Sequence, residues 1–577
     1  MRKHKTLSFL MLIALFSLSS CGPTNQYLTA DDPGTATIKI FKNNNSTSKS
    51  RYIAPKNVEL KYTHNSLNGK LISSFASNCP SVGDVNLLII PVKIPGSDFF
   101  MDDEKREIVK QDIELAFFGE ESDRLGNPSV KSFYKESSFG KLNLSGTVTD
   151  WFDVRQNVGI FNSMNITSGV DGNIGNEILL KAVEWAEETQ NINLNDFDND
   201  KDGAIDGVWL IYDHLDYASH IQYCLKNNIV PTSSNINQAF WNFTYESFTS
   251  GFPKQGETVA VPYSWISFAS LYTGYCERDD EGMDIFDDLS SMKVGTHTLI
   301  HEQGHLFGLP DLYSTTEEGI SPTGKSTMMD LNICDLDSYS KMCLGWITPY
   351  VVYGTSEILL PKANYSDNCV IVIPSNYKEI SSLVELANKQ NRLEEFKYEF
   401  NPFSEYLMID LYTPDGLNFQ DSYKAQLNDR EYGIDTSGVR IYHVDSRIFK
   451  ANVVKSDLGV TFNYVDGYEW NGNNISKTQA ILCPISNSKI ESSSYQLPLE
   501  YDNYDRIRLL EASGFNTFAD GHWASDLTLF TPETDDFDIE KFGYRFFNSN
   551  YGFNDGNDIP FKVRVETLKG VNVDEIY

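Results

Sequence analysis

The chain has 577 residues, a formal net charge of -33 at pH 7 and an isoelectric point near 4.6. So large an acid excess argues against a nucleic-acid partner and against a polybasic grip on anionic lipid. Hydrophobic residues at 41% and aromatics at 13% supply enough apolar surface for sizeable cores, so the composition is not that of a disordered chain, and the length suits about two to four domains.

The first twenty residues read as a targeting segment. Arg2, Lys3 and Lys5 give a positive start, and residues 7–18 are apolar but too short to span a bilayer. Leu18-Ser-Ser-Cys21 has the form of a bacterial lipobox. Cleavage before Cys21 would leave that cysteine to carry lipid; an ordinary secretory signal cut elsewhere is the alternative. No later stretch is long and apolar enough for a transmembrane helix, so the chain is expected to be anchored to a membrane and not threaded through it. The expected location is the bacterial cell envelope, outside the cytoplasm, at the cell surface or outer membrane. Residues 21–80, rich in Asn, Ser, Thr and Lys, read as a tether with room for one or two short strands.

From residue 81 to 350 strand and helix signals alternate, which predicts an α/β-type sheet domain. Residues 85–93 form a short apolar run suited to a buried strand, and 104–118 has helical spacing. A second helix is predicted over 129–138, stopped at Gly140, then a strand over 142–152 and a helix over 176–189. Next comes Asp196-Phe-Asp-Asn-Asp-Lys-Asp-Gly-Ala-Ile-Asp206. Asp198, Asp200, Asp202, the carbonyl of Ala204, and Asp206 match the opening positions of a calcium loop, with Gly203 allowing its sharp turn. Trp209 stands where an EF-hand would place its bidentate glutamate, and a strand follows. The reading is therefore a structural Ca2+ loop between a helix and a strand; the alternative is a solvated acidic turn. Residues 221–290 read as loops framing a cleft.

The stretch around which the domain is organised is Thr296-His-Thr-Leu-Ile-His-Glu-Gln-Gly-His-Leu-Phe-Gly-Leu-Pro-Asp311, which contains H-E-x-x-H-x-x-G-x-x-D. His301 and His305, four residues apart, lie on one face of a helix starting near Val294 and can share a Zn2+ ion. Glu302 stands where a general base is needed. Gly308 can end the helix in a left-handed conformation, Pro310 cannot continue it, and the returning chain can bring Asp311 under the metal. Two nitrogens, a carboxylate oxygen and an open position describe a catalytic zinc site, not a closed structural one. Asp330 is the substitute third ligand if Asp311 points away. His297 sits about 12 Å along the helix from His305 and reads as a packed neighbour, not a ligand.

This stretch resembles the immune inhibitor A family of secreted zinc metallopeptidases, relatives of the metzincins. Residues 129–151, 198–206, 328–330 and 340–346 are similar to the same family, so the likeness runs from about 82 to 350 and continues more weakly through 405–410 and 438–445. The resemblance implies a metzincin-like zinc peptidase domain and a methionine turn beneath the metal, supplied by Met328 or Met329. It also implies an inhibitory prosegment, for which residues 22–80 are short.

After Val351, strand-like runs at 357–360, 369–373, 406–411, 439–443 and 561–565 are separated by Gly, Asn, Asp and Ser turns, with a helix-like insertion at 381–396. The fold class expected is thus α+β: residues 81–350 as the peptidase domain, followed by a β-sandwich-like C-terminal region over 351–577. With Cys21 lipidated, seven cysteines remain and cannot all pair within the chain; Cys224 with Cys276, or Cys334 with Cys343, are candidate pairs. Cys79 reads as a buried thiol, the alternative being a thiolate that blocks the zinc.

The function these readings converge on is an extracytoplasmic, lipid-anchored zinc metalloendopeptidase, in which Glu302 assists attack of zinc-bound water on a peptide bond of a protein or peptide substrate. The competing reading is a surface lipoprotein that binds glycan or protein through its C-terminal β region over a vestigial site. A third is hydrolysis of a non-peptide amide.

Overall fold

The computed structural model describes residues 32–42, 79–97, 101–120, 122–160, 172–201, 205–216, 219, 224, 243–245, 263–272, 274–278, 284–286, 288–314, 320–331, 334–347, 349–352, 354–367, 370–375, 405–419, 433–445, 448–456, 459–464, 480–484, 487, 495–496, 505–539, 553–554, 559 and 561–571. Cys21, Asp202, Ala204 and the 381–396 insertion lie outside them.

The first strand, β1 (Thr35–Lys42), belongs to a sheet completed only at the far end of the chain. The region from residue 81 onwards begins with β2 (Gly83–Lys93), α1 (Asp103–Phe118), α2 (Val130–Ser137), β3 (Leu142–Val148), α3 (Gly172–Gln190), β4 (Val208–Tyr212), β5 (Phe243–Tyr245) and β6 (Tyr263–Ser267). The strands lie in the order β3-β2-β4-β6-β5, with Phe152–Asp153 pairing the end of β2. Contacts are parallel throughout except for the antiparallel edge strand β5. β5 and β6 come from a stretch that reads as loop in the sequence. β6 is Tyr-Ser-Trp-Ile-Ser, buried at every position, and its serines hide the apolar run that marks a two-sided strand.

Both faces of this sheet are covered. On one, Leu87, Ile89, Trp209 and Ile211 pack with α1, α2 and α4 (His297–Leu306). On the other, Leu88, Ile90, Leu210 and Trp265 pack with Ile178, Leu179, Ala182 and Ala186 of α3. The period of two along β2 separates these cores, as it must when successive side chains alternate.

The chain continues through α5 (Ser338–Cys343), β7 (Tyr350–Val351), β8 (Ser356–Pro361), β9 (Ile371–Pro374), β10 (Glu405–Tyr412), β11 (Gly438–Asp445), β12 (Ile507–Leu510) and β13 (Phe561–Lys569). One sheet runs β7-β9-β10-β11-β12 and a second β8-β1-β13. Leu407, Ile409 and Leu411 of β10 face a core shared with Ile38 and Ile40 of β1 and Val563 of β13. Their alternates Tyr406, Met408 and Tyr412 join the core around α4. The five-stranded sheet is therefore a partition between two hydrophobic cores. Between residues 21 and 80, read above as a tether, Thr35–Lys42 forms the central strand of the three-stranded sheet. Ile448–Ser456, Gly459–Tyr464, Ala480–Pro484 and Tyr495–Gln496 form a separate four-stranded sheet.

At the partition lies a buried ion pair. Arg440 of β11 donates through Nε and Nη2 to the two oxygens of Asp410 at 2.8 and 2.9 Å, and Ser338 at the start of α5 donates to the same carboxylate. Cys224 forms no disulfide with Cys276, nor Cys334 with Cys343, so neither suggested pairing is made. Among the described residues no helix is long and apolar enough to cross a membrane.

Candidate active site

α4 starts at His297, three residues later than the sequence suggests, with Thr296 as its N-cap; the Thr296 hydroxyl donates to the Pro128 carbonyl at 2.7 Å and caps no helix N–H. The helix ends at Leu306. Gly308 follows with φ +90, in the left-handed region, and its N–H bonds the His305 carbonyl at 2.8 Å. Three contacts fix the helix in the body of the domain. Tyr134 of α2 donates its hydroxyl to the Ile300 carbonyl at 2.6 Å, Trp209 of β4 donates to Gln303 at 3.0 Å, and the Cys79 N–H reaches the Leu306 carbonyl at 3.1 Å. Gly304 is required by packing: a Cβ there would stand 2.5 Å from the Met329 sulfur.

The two histidines share one face, with ring centroids 4.8 Å apart and planes nearly perpendicular. His301 Nδ1 lies 2.9 Å from the Met328 carbonyl, and His305 Nδ1 lies 2.7 Å from the Leu309 carbonyl. A carbonyl can only accept, so each Nδ1 carries the proton and donates. In the neutral rings this leaves both Nε2 atoms as lone-pair donors. Those two Nε2 atoms converge on one oxygen, Asp311 Oδ1, at 3.0 and 3.2 Å. Donors held by a tetrahedral zinc at about 2.0–2.1 Å stand about 3.3 Å from one another, so the spacing suits such an ion. Ligand atoms of His301, Glu302 and His305 also lie within 4.8 Å of one another. That grouping and the Asp311 contacts describe the same spot. Asp311 is the better third ligand because its oxygen meets both imidazoles, which leaves Glu302 available for proton transfer.

Without a metal, the electrostatics are those of a tight ionic cluster. Burial pulls the His305 imidazolium down, but the Asp311 carboxylate, helped by Glu302, pushes it up to about 10. Burial likewise raises Asp311, and the two histidines outweigh it, holding the carboxyl far below its ordinary range.

The residues proposed for a methionine turn are both buried under α4. Met328 offers its carbonyl to His301, and Met329 packs against Gly304. Asp330, the substitute ligand, is turned elsewhere. It accepts from the Ser321 and Thr323 hydroxyls and from the Lys325 N–H, the last at 2.9 Å. Its role is to close the 321–330 turn, and it makes no contact with the histidine pair. Tyr313 escaped the sequence reading. Its ring stacks on His301 at 6.4 Å and 25°, and burial, then the Asp311 charge and the hydrogen bond to Asp311, push its phenol up. The signal was its place two residues beyond Asp311, on the returning chain. Burial, then the Asp206 and Asp200 carboxylates, push the Cys79 thiol well up; it bonds Gln303 and is a buried thiol.

At the acidic loop, Asp198, Asp200 and Asp206 bring ligand oxygens within 4.8 Å of one another. The N–H groups of Asn199 and Asp200 bond Asp206 Oδ2 at 2.8 and 3.4 Å. Asn199 clamps Asn86 of β2 through both main-chain groups, at 2.8 and 3.1 Å, so the loop is pinned to the sheet.

A mostly parallel sheet carrying a helix with two aligned imidazoles, an adjacent glutamate and a returning aspartate is the framework of a metal-dependent hydrolase. Residues 102–262 match the family model for the immune inhibitor A peptidase M6, catalytic domain, which supports an immune inhibitor A-like peptidase. The matched stretch covers α1 to the residue before β6 and stops short of α4, so the histidine pair is support separate from that match. A search of curated proteins found no match.

Proposed function

We propose that the chain is a zinc metalloendopeptidase, exported and held at the bacterial cell envelope by lipid on Cys21, that hydrolyses protein or peptide substrates. The observation that carries the reading is the meeting of His301 Nε2, His305 Nε2 and Asp311 Oδ1, with each Nδ1 tied to a carbonyl. A zinc ion held by these three residues would supply Lewis acidity, acidifying water and polarising a peptide carbonyl.

Glu302 is the general base in this reading: its carboxylate takes a proton from water and passes it to the leaving amine nitrogen. Glu302 is buried, where a carboxylate binds and releases protons without a large water shell. The Met328 and Leu309 carbonyls orient the two imidazoles, and the Tyr313 phenol holds Asp311. Support for the lipid anchor is the segment 18–21 alone. For Ca2+ at Asp198, Asp200, Asp202, Ala204 and Asp206, support is the spacing together with the convergence of the three described carboxylates.

The deciding experiment incubates residues 22–577 with an unfolded protein in zinc and calcium, beside Glu302→Ala. The wild type is expected to cut. The alanine variant is expected to hold zinc at the same stoichiometry yet lose about 10²–10⁴-fold in kcat/KM. Equal cleavage by both would remove Glu302 from the chemistry.

A further inference from the structure

The returning segment that carries Asp311 is held from two sides at the very next residue. The Leu312 N–H donates to the Met329 carbonyl at 2.8 Å, and the Leu312 carbonyl accepts Asn487 Nδ2 at 2.7 Å. Leu312 is fully buried and Asn487 is 2% exposed. Asn487 stands 175 residues further along, in the C-terminal half of the chain.

Asn487 is fixed in turn to β12, the edge strand of the five-stranded sheet. Its Nδ2 also donates to the Ile507 carbonyl at 3.0 Å, and its Oδ1 accepts the Ile507 N–H at 3.1 Å. The strand register makes both groups of Ile507 available. Arg506 gives its carbonyl to the Asp445 N–H of β11, so in an antiparallel ladder the main-chain groups of Ile507 and Leu509 point away from β11. Leu509 spends its N–H on the Pro322 carbonyl at 2.9 Å. The edge is thereby covered by the two segments that support the metal-binding residues. One is Asp311 with Leu312, reached through Asn487. The other is the 321–330 turn, whose Met328 carbonyl holds His301.

The amide chemistry accounts for the residue type. Both N–H groups of Asn487 face carbonyls and its oxygen faces an N–H, an arrangement that needs two donors and an acceptor in one planar group. Aspartate has the same shape but would set a carboxylate oxygen against two carbonyls. A metal ligand has to be placed to within about 0.2 Å, and Leu312 is the direct neighbour of the carboxylate that meets both imidazoles.

We propose that Asn487 is a positioning residue for the metal: by clamping the Leu312 carbonyl to β12, it sets where the Asp311 carboxylate stands opposite His301 and His305. The proposal rests on the zinc-site reading above. It makes the C-terminal half a working part of the metal centre although that half supplies no ligand.

The test measures zinc affinity of the full chain by competition with a chelator, in wild type and Asn487→Asp. Co2+ is then put in place of zinc and the visible spectrum recorded, since its bands report the number and arrangement of the ligands. A variant shown to be folded by circular dichroism is expected to bind zinc about 10–100-fold more weakly, with cobalt bands that are shifted and weaker. Its kcat is expected to fall with KM little changed. If Asn487→Asp does not fold, Asn487→Ala, which removes the clamp without burying a charge, takes its place with the same expectations. A lower melting temperature with wild-type zinc affinity and a wild-type cobalt spectrum would reduce Asn487 to a packing role, overturning the proposal and leaving the peptidase standing. Weakened zinc binding and altered cobalt bands in the variant, from a parent chain that cuts no peptide, would uphold the clamp and remove the peptidase.

Discussion

A histidine becomes a metal ligand through what its other nitrogen touches. His301 and His305 are committed by two carbonyls, from Met328 and Leu309, that face Nδ1 and so present Nε2 to Asp311. Asp330 makes a complementary case, a carboxylate spent on structure. Burial raises its pKa against the pull of Ser321, Thr323 and the Lys325 N–H. A carboxyl raised above its unfolded value contributes stability that is complete below about pH 4 and is lost as pH rises through the folded value. Asp330→Asn, neutral at every pH, is expected to flatten that part of the decline. Melting temperatures of zinc-saturated wild type and variant should lie together near pH 4 and separate towards pH 8, the wild type falling below the variant, and parallel curves would count against this account.

At the scale of elements, the acidic loop joins a helix to a strand, and Asn199 clamps it to β2. Three carboxylates gathered within 4.8 Å repel one another, and a divalent cation would turn that repulsion into cohesion. Calcium at a hundred times its dissociation constant should add about 2.7 kcal/mol to unfolding. The corresponding rise in melting temperature should be lost in Asp200→Asn, and an unchanged wild type would leave the loop as a solvated acidic turn. α4 is held by a different kind of contact. Tyr134, Trp209 and Cys79 each bond it from another element, so its two histidines ride on a helix that is itself immobilised.

Across the whole molecule, the five-stranded sheet connects the two halves of the chain. Tyr406, Met408 and Tyr412 belong to the core that holds α4, while Leu407, Ile409 and Leu411 belong to the core that holds β1. Arg440 and Asp410 sit in this partition, at 3% and 0% exposure. Taking one partner from a buried pair leaves a bare charge, at about 3–5 kcal/mol. Asp410→Ala should therefore lower the urea midpoint far more than Asp536→Ala, which breaks the exposed pair with Arg564 for about 1 kcal/mol or less. Equal effects would mean the partition is hydrated. A fragment beginning at residue 351 would lack β1, the central strand of its own sheet, so the C-terminal half is not expected to fold as an isolated piece.

Much of this was legible in the residues themselves. The spacing of His301, Glu302 and His305, the stop at Gly308 and the runs that became β2, α1, β4, β10 and β11 are local patterns, because a period of 3.6 or 2 is a property of one segment. β6 was missed because Ser264 and Ser267 interrupt its apolar run, although both are buried. The role of Asp330, the carbonyls facing each Nδ1, and the stacking of Tyr313 on His301 were decided only in three dimensions. So was the union of β1 with β8 and β13, more than three hundred residues away. Periodicity tells a segment which of its faces to bury, but not which partner will cover it; that depends on how distant segments meet.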